Sequence, residues 1–507
     1  MSSERCIIGV DIGTQGTKAM LFAENGKCLA AAFRPSKLYR PAPGVVEEDP
    51  DRQFRSVCQT ICECVKTARV DASSVAAIGI DGQMAGILAV DEEGRHVTSY
   101  DSWLDTRCTP YIKKMVKIAG DEVLRKTGCA PSFNHGPKIL WWMAERKKTF
   151  RSIKAFVQPA GYAAMRLCGL DRRAAFLDTT YLLFSGFADN CRSAWDSGLC
   201  EAFGLDMSKL PNIVQPHAVV GELLPSMARK CGLGSRVPVV AGCGDAIASF
   251  LACGATKEGV CVDVAGTASV FATTTPSFAA DTKYRTLLCG HSATPGLWHS
   301  FAYINGGGLN LEWFRREMSD HGAAGKRGKI TFDQLNKQAA AIRVGGELPL
   351  FIPHLGGRVC PNQPHLRGAW LGLTWEHGIP HLYRAVLEGV ALEYAVYQKI
   401  IELQHRGFRP KELRITGGGE KSALWNTIKA DVLQIPVRRV ARPEGAPLGV
   451  ALLAGFGVGI FPSLATAAKN WIALGEKVRA NPSMKDYYVR RHSSYEKLLG
   501  TLDNVEL

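Results

Sequence analysis

Short runs of apolar and β-branched residues recur along this chain, and most break off at a glycine beside a polar residue. The first, Cys6-Ile7-Ile8-Gly9-Val10, enters Asp11-Ile12-Gly13-Thr14-Gln15-Gly16-Thr17-Lys18, after which Ala19-Met20-Leu21-Phe22 resumes the apolar pattern. This predicts two strands joined by a turn too rich in Gly and Thr to be core. Residues 75–80, 87–90, 237–241, 261–265, 350–352 and 413–416 read as further strands. Helical spacing follows at about 52–68, 139–143, 247–253 and 422–433, and a helix opens at Asn305-Gly306-Gly307-Gly308. Pro380 marks the first turn of a long helix. Its Val386, Val390, Tyr394, Tyr397 and Ile401 recur at intervals of three and four and predict one buried face. Residues 176–204 read as loop-rich. Strands alternating with helices predict an α/β fold.

The opening turn recurs in altered form. Cys261-Val262-Asp263-Val264-Ala265-Gly266-Thr267-Ala268-Ser269 echoes it roughly half a chain later. A single echo at that distance predicts duplicated halves, not a short-period array. We place them at 1–250 and 251–507, each carrying one Gly/Thr turn.

Composition narrows the class. At 507 residues, 46% hydrophobic and 21% charged, the chain is sized and balanced like a globular enzyme of two or three domains. Its most apolar run, 448–461, is short, Gly-rich and closed by Pro447 and Pro462, so it predicts a buried helix and not a membrane span. Met-Ser-Ser-Glu-Arg leads straight into the first strand without an apolar leader, which predicts a cytoplasmic protein. Sixteen cysteines are then expected as reduced thiols, and Cys58, Cys62 and Cys64 on one helix read as buried thiols ahead of a metal site. A formal charge of +14 suits either a nucleic-acid partner or a cationic surface that attracts nucleotides. The basic residues are scattered, with short clusters only at Arg146-Lys147-Lys148 and Arg490-Arg491, and no zinc finger or RNA-recognition motif joins them. The milder reading is preferred.

Several strand ends carry candidate chemistry. The amides of the 13–18 turn, with two Thr hydroxyls and Lys18, form a donor surface suited to phosphate; the plain alternative is a hairpin with a bulge. Asp11 would repel phosphate unless Mg²⁺ lay between them. Gln83 is either a ligand contact or a turn residue. Trp103, Asp105 and Arg107 offer a stacking face, an acceptor and a donor to a polyhydroxylated ligand, or form an ordinary ion pair. Asp245 is a helix cap or a group presented into a cleft. Gly417-Gly418-Gly419 lets a flat ligand lie on the backbone, or is a tight connection.

In order, these pieces resemble the FGGY carbohydrate kinases, and within them the xylulokinases. The matching segments are 11–18, Gly82-Gln83-Met84, Trp103 to Arg107, Pro137 to Trp141, Gly242 to Asp245, Gly266-Thr267, 354–374, Ala385 to Gly389, and 417–419 with Trp425. The resemblance implies an actin-like ATPase (ribonuclease H-like) fold, two similar α/β domains around a central cleft, with ATP and Mg²⁺ between the halves. It implies Asp245 as general base and Asp11 as the residue that helps hold Mg²⁺. It places Gly13, Thr14, Thr17 and Lys18 in the first phosphate loop, and Gly266 and Thr267 in the second. Gly417, Gly418, Gly419 and Asn426 fall at the adenosine, and Gln83, Met84, Trp103 and Asp105 at the sugar. The expected partners are a sugar or polyol and ATP, with no nucleic acid and no membrane; a homodimer stays open.

The chain departs from that pattern where xylulokinases commonly carry His after Gln-Met, here Ala85, and Asn after the catalytic Asp, here Ala246. The Gly-Glu-Arg-Thr-Pro run appears as Gly357-Arg358-Val359-Cys360-Pro361, and Asp263 falls close to the second turn. The expected activity is transfer of phosphate from ATP to a ketopentose or related polyol. A same-fold kinase for a tetritol, deoxyketose or signalling sugar, and a non-catalytic nucleotide- or nucleic-acid-binding protein, are the rival readings.

Overall fold

A computed structural model describes residues 5–319, 330–441 and 444–505; Met1 to Glu4, part of the segment read for a leader, lie outside them. Cys6–Ile12 (β1) pairs antiparallel with Gly16–Ala23 (β2), and β2 pairs with Cys28–Pro35 (β3). On its other side β1 runs parallel to Val75–Gly82 (β4). Val219–Glu222 (β5) and Pro238–Val240 (β6) complete a six-stranded sheet ordered β5-β6-β4-β1-β2-β3.

The second sheet repeats this plan. Its strands are Val260–Ala265 (β7), Ser269–Thr275 (β8), Leu288–His291 (β9), Trp298–Ile304 (β10), Glu412–Thr416 (β11), Val437–Val440 (β12) and Leu474–Val478 (β13). They lie in the order β9-β10-β8-β7-β11-β12-β13. The β7–β8 hairpin with parallel β11 beside it matches β1–β2 with β4. The central strands are mostly apolar because helices cover both faces, with Asp11, Asp81 and Asp263 as buried or near-buried exceptions close to their ends.

The helices that position the site are Pro50–Ala68 (α1), His135–Glu145 (α2), Asp245–Ala252 (α3), Gly307–Trp313 (α4), Ile379–Gln404 (α5), Ala423–Leu433 (α6) and Ala446–Gly457 (α7). α1 covers β2 and β3, while α7, from late in the chain, packs on β1 and β4. α3 crosses α7 at close range: a Cβ on Gly449 would lie 1.9 Å from the Ala248 carbonyl oxygen. That contact seats α3 against the first sheet and fixes where Asp245, its first residue, stands.

Three local expectations change. α2 begins at His135, ahead of the apolar run that predicted it, so His135 to Lys138 form its first turn. α5 is buried on nearly every side from Tyr383 to Tyr394, not along one stripe, because sheet and helices surround it. Residues 176–204 hold short elements, among them the strand Phe176–Asp178 and the helix Ser197–Phe203, too brief to leave a periodic signal. None of the sixteen cysteines is in a disulfide; in α1 Cys58 and Cys64 are buried, while Cys62, expected to be buried with them, is only half-buried at the helix flank. Among the described residues no helix is long and apolar enough to cross a membrane.

Candidate active site

Parallel strands β1 and β4 end together, with Asp11 in register opposite Asp81. One residue on, Gly82 bridges Gly244, which brings the start of α3 to the same place. Gly244 occupies the cap position of α3, so Asp245 is not the cap; its carboxylate accepts the Ala246 N–H at 2.7 Å. A segment that looked like loop holds this junction. Tyr181 Oη donates to the carbonyls of Gly82 (2.9 Å) and Cys243 (3.3 Å), and Thr180 Oγ1 accepts the Gly244 N–H at 3.0 Å.

Burial, and then the charge of Asp11, push the Asp245 carboxyl up to about 7. Burial likewise pushes Asp11 up to about 6, against the pull of its hydrogen bond with Asp81 and of Lys18 across the hairpin. Asp81 rises well above the ordinary carboxyl range, through burial and the charges of Asp11 and Asp245. Oδ1 of Asp11 and both oxygens of Asp81 are buried and served by no donor. A three-carboxyl cluster with one lysine beside it lacks positive charge, and orphaned oxygens of this kind fit a hard divalent cation. Among the described residues no three ligating side chains form a metal cage. Mg²⁺ characteristically uses one or two carboxylates and takes its remaining oxygens from phosphate and water, so the donor set suits it.

The two hairpin turns expose amides in the same way. In the first, Gly13 and Gly16 bond each other (3.1 and 3.2 Å), leaving the N–H groups of Thr14 and Gln15 uncommitted. In the second, Gly308 and Leu309 at the start of α4 donate to the carbonyls of Gly266 (2.9 Å) and Thr267 (3.1 Å), and the amides of Thr267 and Ala268 remain uncommitted. α4 can sit this close only because residue 307 is glycine; a Cβ there would fall 1.8 Å from Ser269 Oγ. Beside this turn, Gly418 presents an open face, with no atom within 4 Å of an added Cβ. Asn426 is buried behind it and donates Nδ2–H to the Glu420 carbonyl at 2.9 Å, so it braces the turn from the rear.

The sugar-side candidates separate into surface and support. Trp103 is 47% exposed, and its Nε1–H donates to Thr14 Oγ1 at 2.9 Å. Thr14 donates onward to Gln83 Oε1 (3.3 Å), and Gln83 Nε2 to buried Glu48 (2.8 Å). Met84 lies over Gly244, next to Asp245. Asp105 is fully buried, and both its oxygens are engaged, by the Val46 and Arg107 amides and by the Arg107 guanidinium. It orders the loop that carries Trp103. Thr17 alternates to the opposite sheet face from Lys18, in a small recess with Ser36, Glu48 and Arg52.

Two residues without an assigned role are structural here. Asp263 is buried and held by Tyr394 Oη (2.9 Å) and Lys429, away from the turn. Arg358 pairs with buried Glu393 (2.8 Å), which also accepts from Tyr495 (2.7 Å).

Asp81, Glu48, Lys138 and His135 join the site without having stood out as candidates in the sequence. Lys138 is buried and donates to the Asp105 carbonyl at 2.9 Å; His135 Nε2 meets the Met84 carbonyl at 2.6 Å. Asp81 did carry a signal. It ends an apolar strand just as Asp11 does.

Comparison with known proteins agrees with this architecture. The N-terminal domain of the FGGY family of carbohydrate kinases matches residues 6–252, and its C-terminal domain matches 261–458. A xylulose kinase of Bacillus subtilis (strain 168) is 27% identical over 471 residues, covering 92% of this chain and 91% of that protein. A gluconokinase of the same organism is 28% identical over 491 residues, covering 95% and 93%. The crystal structure of a xylulose kinase from Rhodospirillum rubrum superposes with a TM-score of 0.89 at 26% identity, covering 98% of this chain and 99% of that one. With both domains matched in tandem on an actin-like frame of two α/β sheets, this chain belongs to the FGGY family of carbohydrate kinases, enzymes that transfer phosphate from ATP to a sugar.

Proposed function

We propose that this kinase phosphorylates a hydroxyl of a ketopentose of the xylulose type, with Asp245 as the general base. The observation that carries the reading is the Asp245 carboxyl, raised to about 7 at the head of α3, beside Asp11 and the Met84–Gly244 contact. A base of that strength matches neutral pH, where it is available to accept a proton yet strong enough to take one. In the transfer, the sugar oxygen bonds to the γ-phosphorus as the bond from phosphorus to the β–γ bridging oxygen breaks. The hydroxyl proton passes to Asp245, and ADP leaves with the bridging oxygen.

The other assignments follow the geometry. The Thr14 and Gln15 amides, with Lys18, would receive phosphate from one side, and the Thr267 and Ala268 amides from the other. Among the described residues no hydrogen bond or ion pair joins these two clusters, so a triphosphate is what would bridge them. Asp11 would hold Mg²⁺, which when bound offsets charge between carboxylate and phosphate. The open face of Gly418 suits the adenosine, and exposed Trp103 a stacked sugar. Closure of the halves would exclude water as a competing acceptor.

The B. subtilis relative named gluconokinase supports a second reading, with gluconate as acceptor. An ATP-consumption assay across D-xylulose, other ketoses, pentitols, tetritols and D-gluconate tests both. Preferred turnover of D-xylulose supports the first; preference for gluconate selects the second; no turnover of any of them ends both.

A further inference from the structure

The Trp103–Thr14–Gln83 contact joins the loop assigned to sugar directly to the loop assigned to phosphate. Trp103 Nε1–H can only donate, so Thr14 Oγ1 accepts from it at 2.9 Å. The hydroxyl has one proton, and that proton faces Gln83 Oε1 across 3.3 Å. An O–H···O bond normally spans about 2.5–3.0 Å, so this contact is weak and the proton is easily re-aimed. The groups on either side are held firmly. Gln83 is 1% exposed, with Nε2 bound to Glu48 at 2.8 Å and its amide bound to the Ile12 carbonyl at 3.1 Å. The Trp103 loop is fixed beneath by Asp105 and Arg107, and Arg107 also reaches Glu47 at 2.7 Å. Trp103 itself stays 47% exposed. Among these groups it is the one that solvent reaches most, and the part a sugar ring would touch.

We infer that Trp103 is a positioning residue that couples the two substrates: a sugar stacked on its ring fixes the indole N–H on Thr14 and leaves the Thr14 proton free for a phosphate oxygen. This deepens the kinase reading and rests on it. Without sugar, the exposed indole can leave Thr14, and whenever it does the Thr14 hydroxyl turns and the phosphate loop loses one donor. With sugar, the donor is in place before the nucleotide arrives. By linkage the effect is reciprocal, and nucleotide should tighten sugar binding by the same factor.

Calorimetry with Mg²⁺ and a non-hydrolysable ATP analogue, with and without saturating D-xylulose or D-gluconate, tests the coupling. The unsubstituted protein is expected to bind the analogue about 5–150-fold more tightly with its sugar present, the usual span of a coupling of this kind. Trp103→Phe keeps a stacking ring without the N–H, and Thr14→Val keeps the shape without the hydroxyl; each should bring the ratio below about twofold. Thr14→Ser restores the hydroxyl and should restore the ratio. A ratio near one in the unsubstituted protein, or an unchanged ratio in Trp103→Phe or Thr14→Val, overturns the inference. Turnover of sugar by the unsubstituted protein is read separately: its absence defeats the kinase reading, whereas turnover with unchanged ratios defeats the coupling alone.

Discussion

Asp11 and Asp81 stand side by side at the ends of neighbouring parallel strands, in register, with no donor serving either oxygen of Asp81. Two carboxyl groups so placed cannot both be charged cheaply in a low dielectric: burial raises both, and the charge of Asp11 raises Asp81 further while Asp81 steadies Asp11 through their hydrogen bond. An arrangement that works against the fold is expected where a cation is to be received.

Asp81 makes the stability of the fold depend on pH. Its carboxyl binds a proton more tightly folded than unfolded, so between about pH 4 and its raised folded value the folded state holds the extra proton. Its contribution is therefore greatest in acid and is lost as pH rises. Asp81→Asn removes that penalty. The variant should unfold on the order of a few degrees above the parent at pH 8 and close to it at pH 4. A thermal-unfolding series across pH decides this, and equal values throughout would refute it.

Asp245→Asn should fold and bind nucleotide, yet lose about 10²–10⁴ of turnover, the usual contribution of one acid–base group. In the parent protein, kcat/KM should climb as pH rises through about 7, where the Asp245 carboxyl ionises. Steady-state kinetics from pH 5.5 to 8.5 test this, and a flat profile together with an active variant would remove Asp245 as the base.

Gly418→Ala places a methyl where no atom lies within 4 Å, so folding should be unaffected. If adenosine rests there, the methyl intrudes on its face at about 1–3 kcal/mol, and the KM for ATP should rise about tenfold while the unfolding temperature holds. An unchanged KM would move the adenosine elsewhere.

Arg358→Met tests a structural role. Burial would raise Glu393, but Arg358 and His354 hold it well below the usual carboxylate range. Removing one partner of a buried pair costs about 3–5 kcal/mol because the other charge is stranded. Denaturant unfolding should show a loss of that order, and Glu393→Gln in the same chain should recover much of it. A selective change in sugar preference with full stability would instead place Arg358 at the substrate.

Local pattern was enough for the strand-turn-strand at 6–23, its echo at 260–275, the buried run around α7 and the Pro380 start of α5, because each depends on residues adjacent in the chain. The order of the Gly/Thr turns, Asp245 and the glycine run along the chain was likewise legible, because each is a local pattern at a strand end. Tertiary structure alone decided which candidates face outward. Asp105, Asn426 and Thr17 were put to bracing or turned to the far side by contacts from distant segments. Arg358 and Asp263 gained buried partners contributed by α5, α6 and the last helix, Lys485–Leu502. Asp81 joined Asp11 only through the parallel pairing of strands some seventy residues apart. Composition and spacing carry the chemistry of a side chain, but whether its polar atoms remain available depends on what long-range packing sets against them.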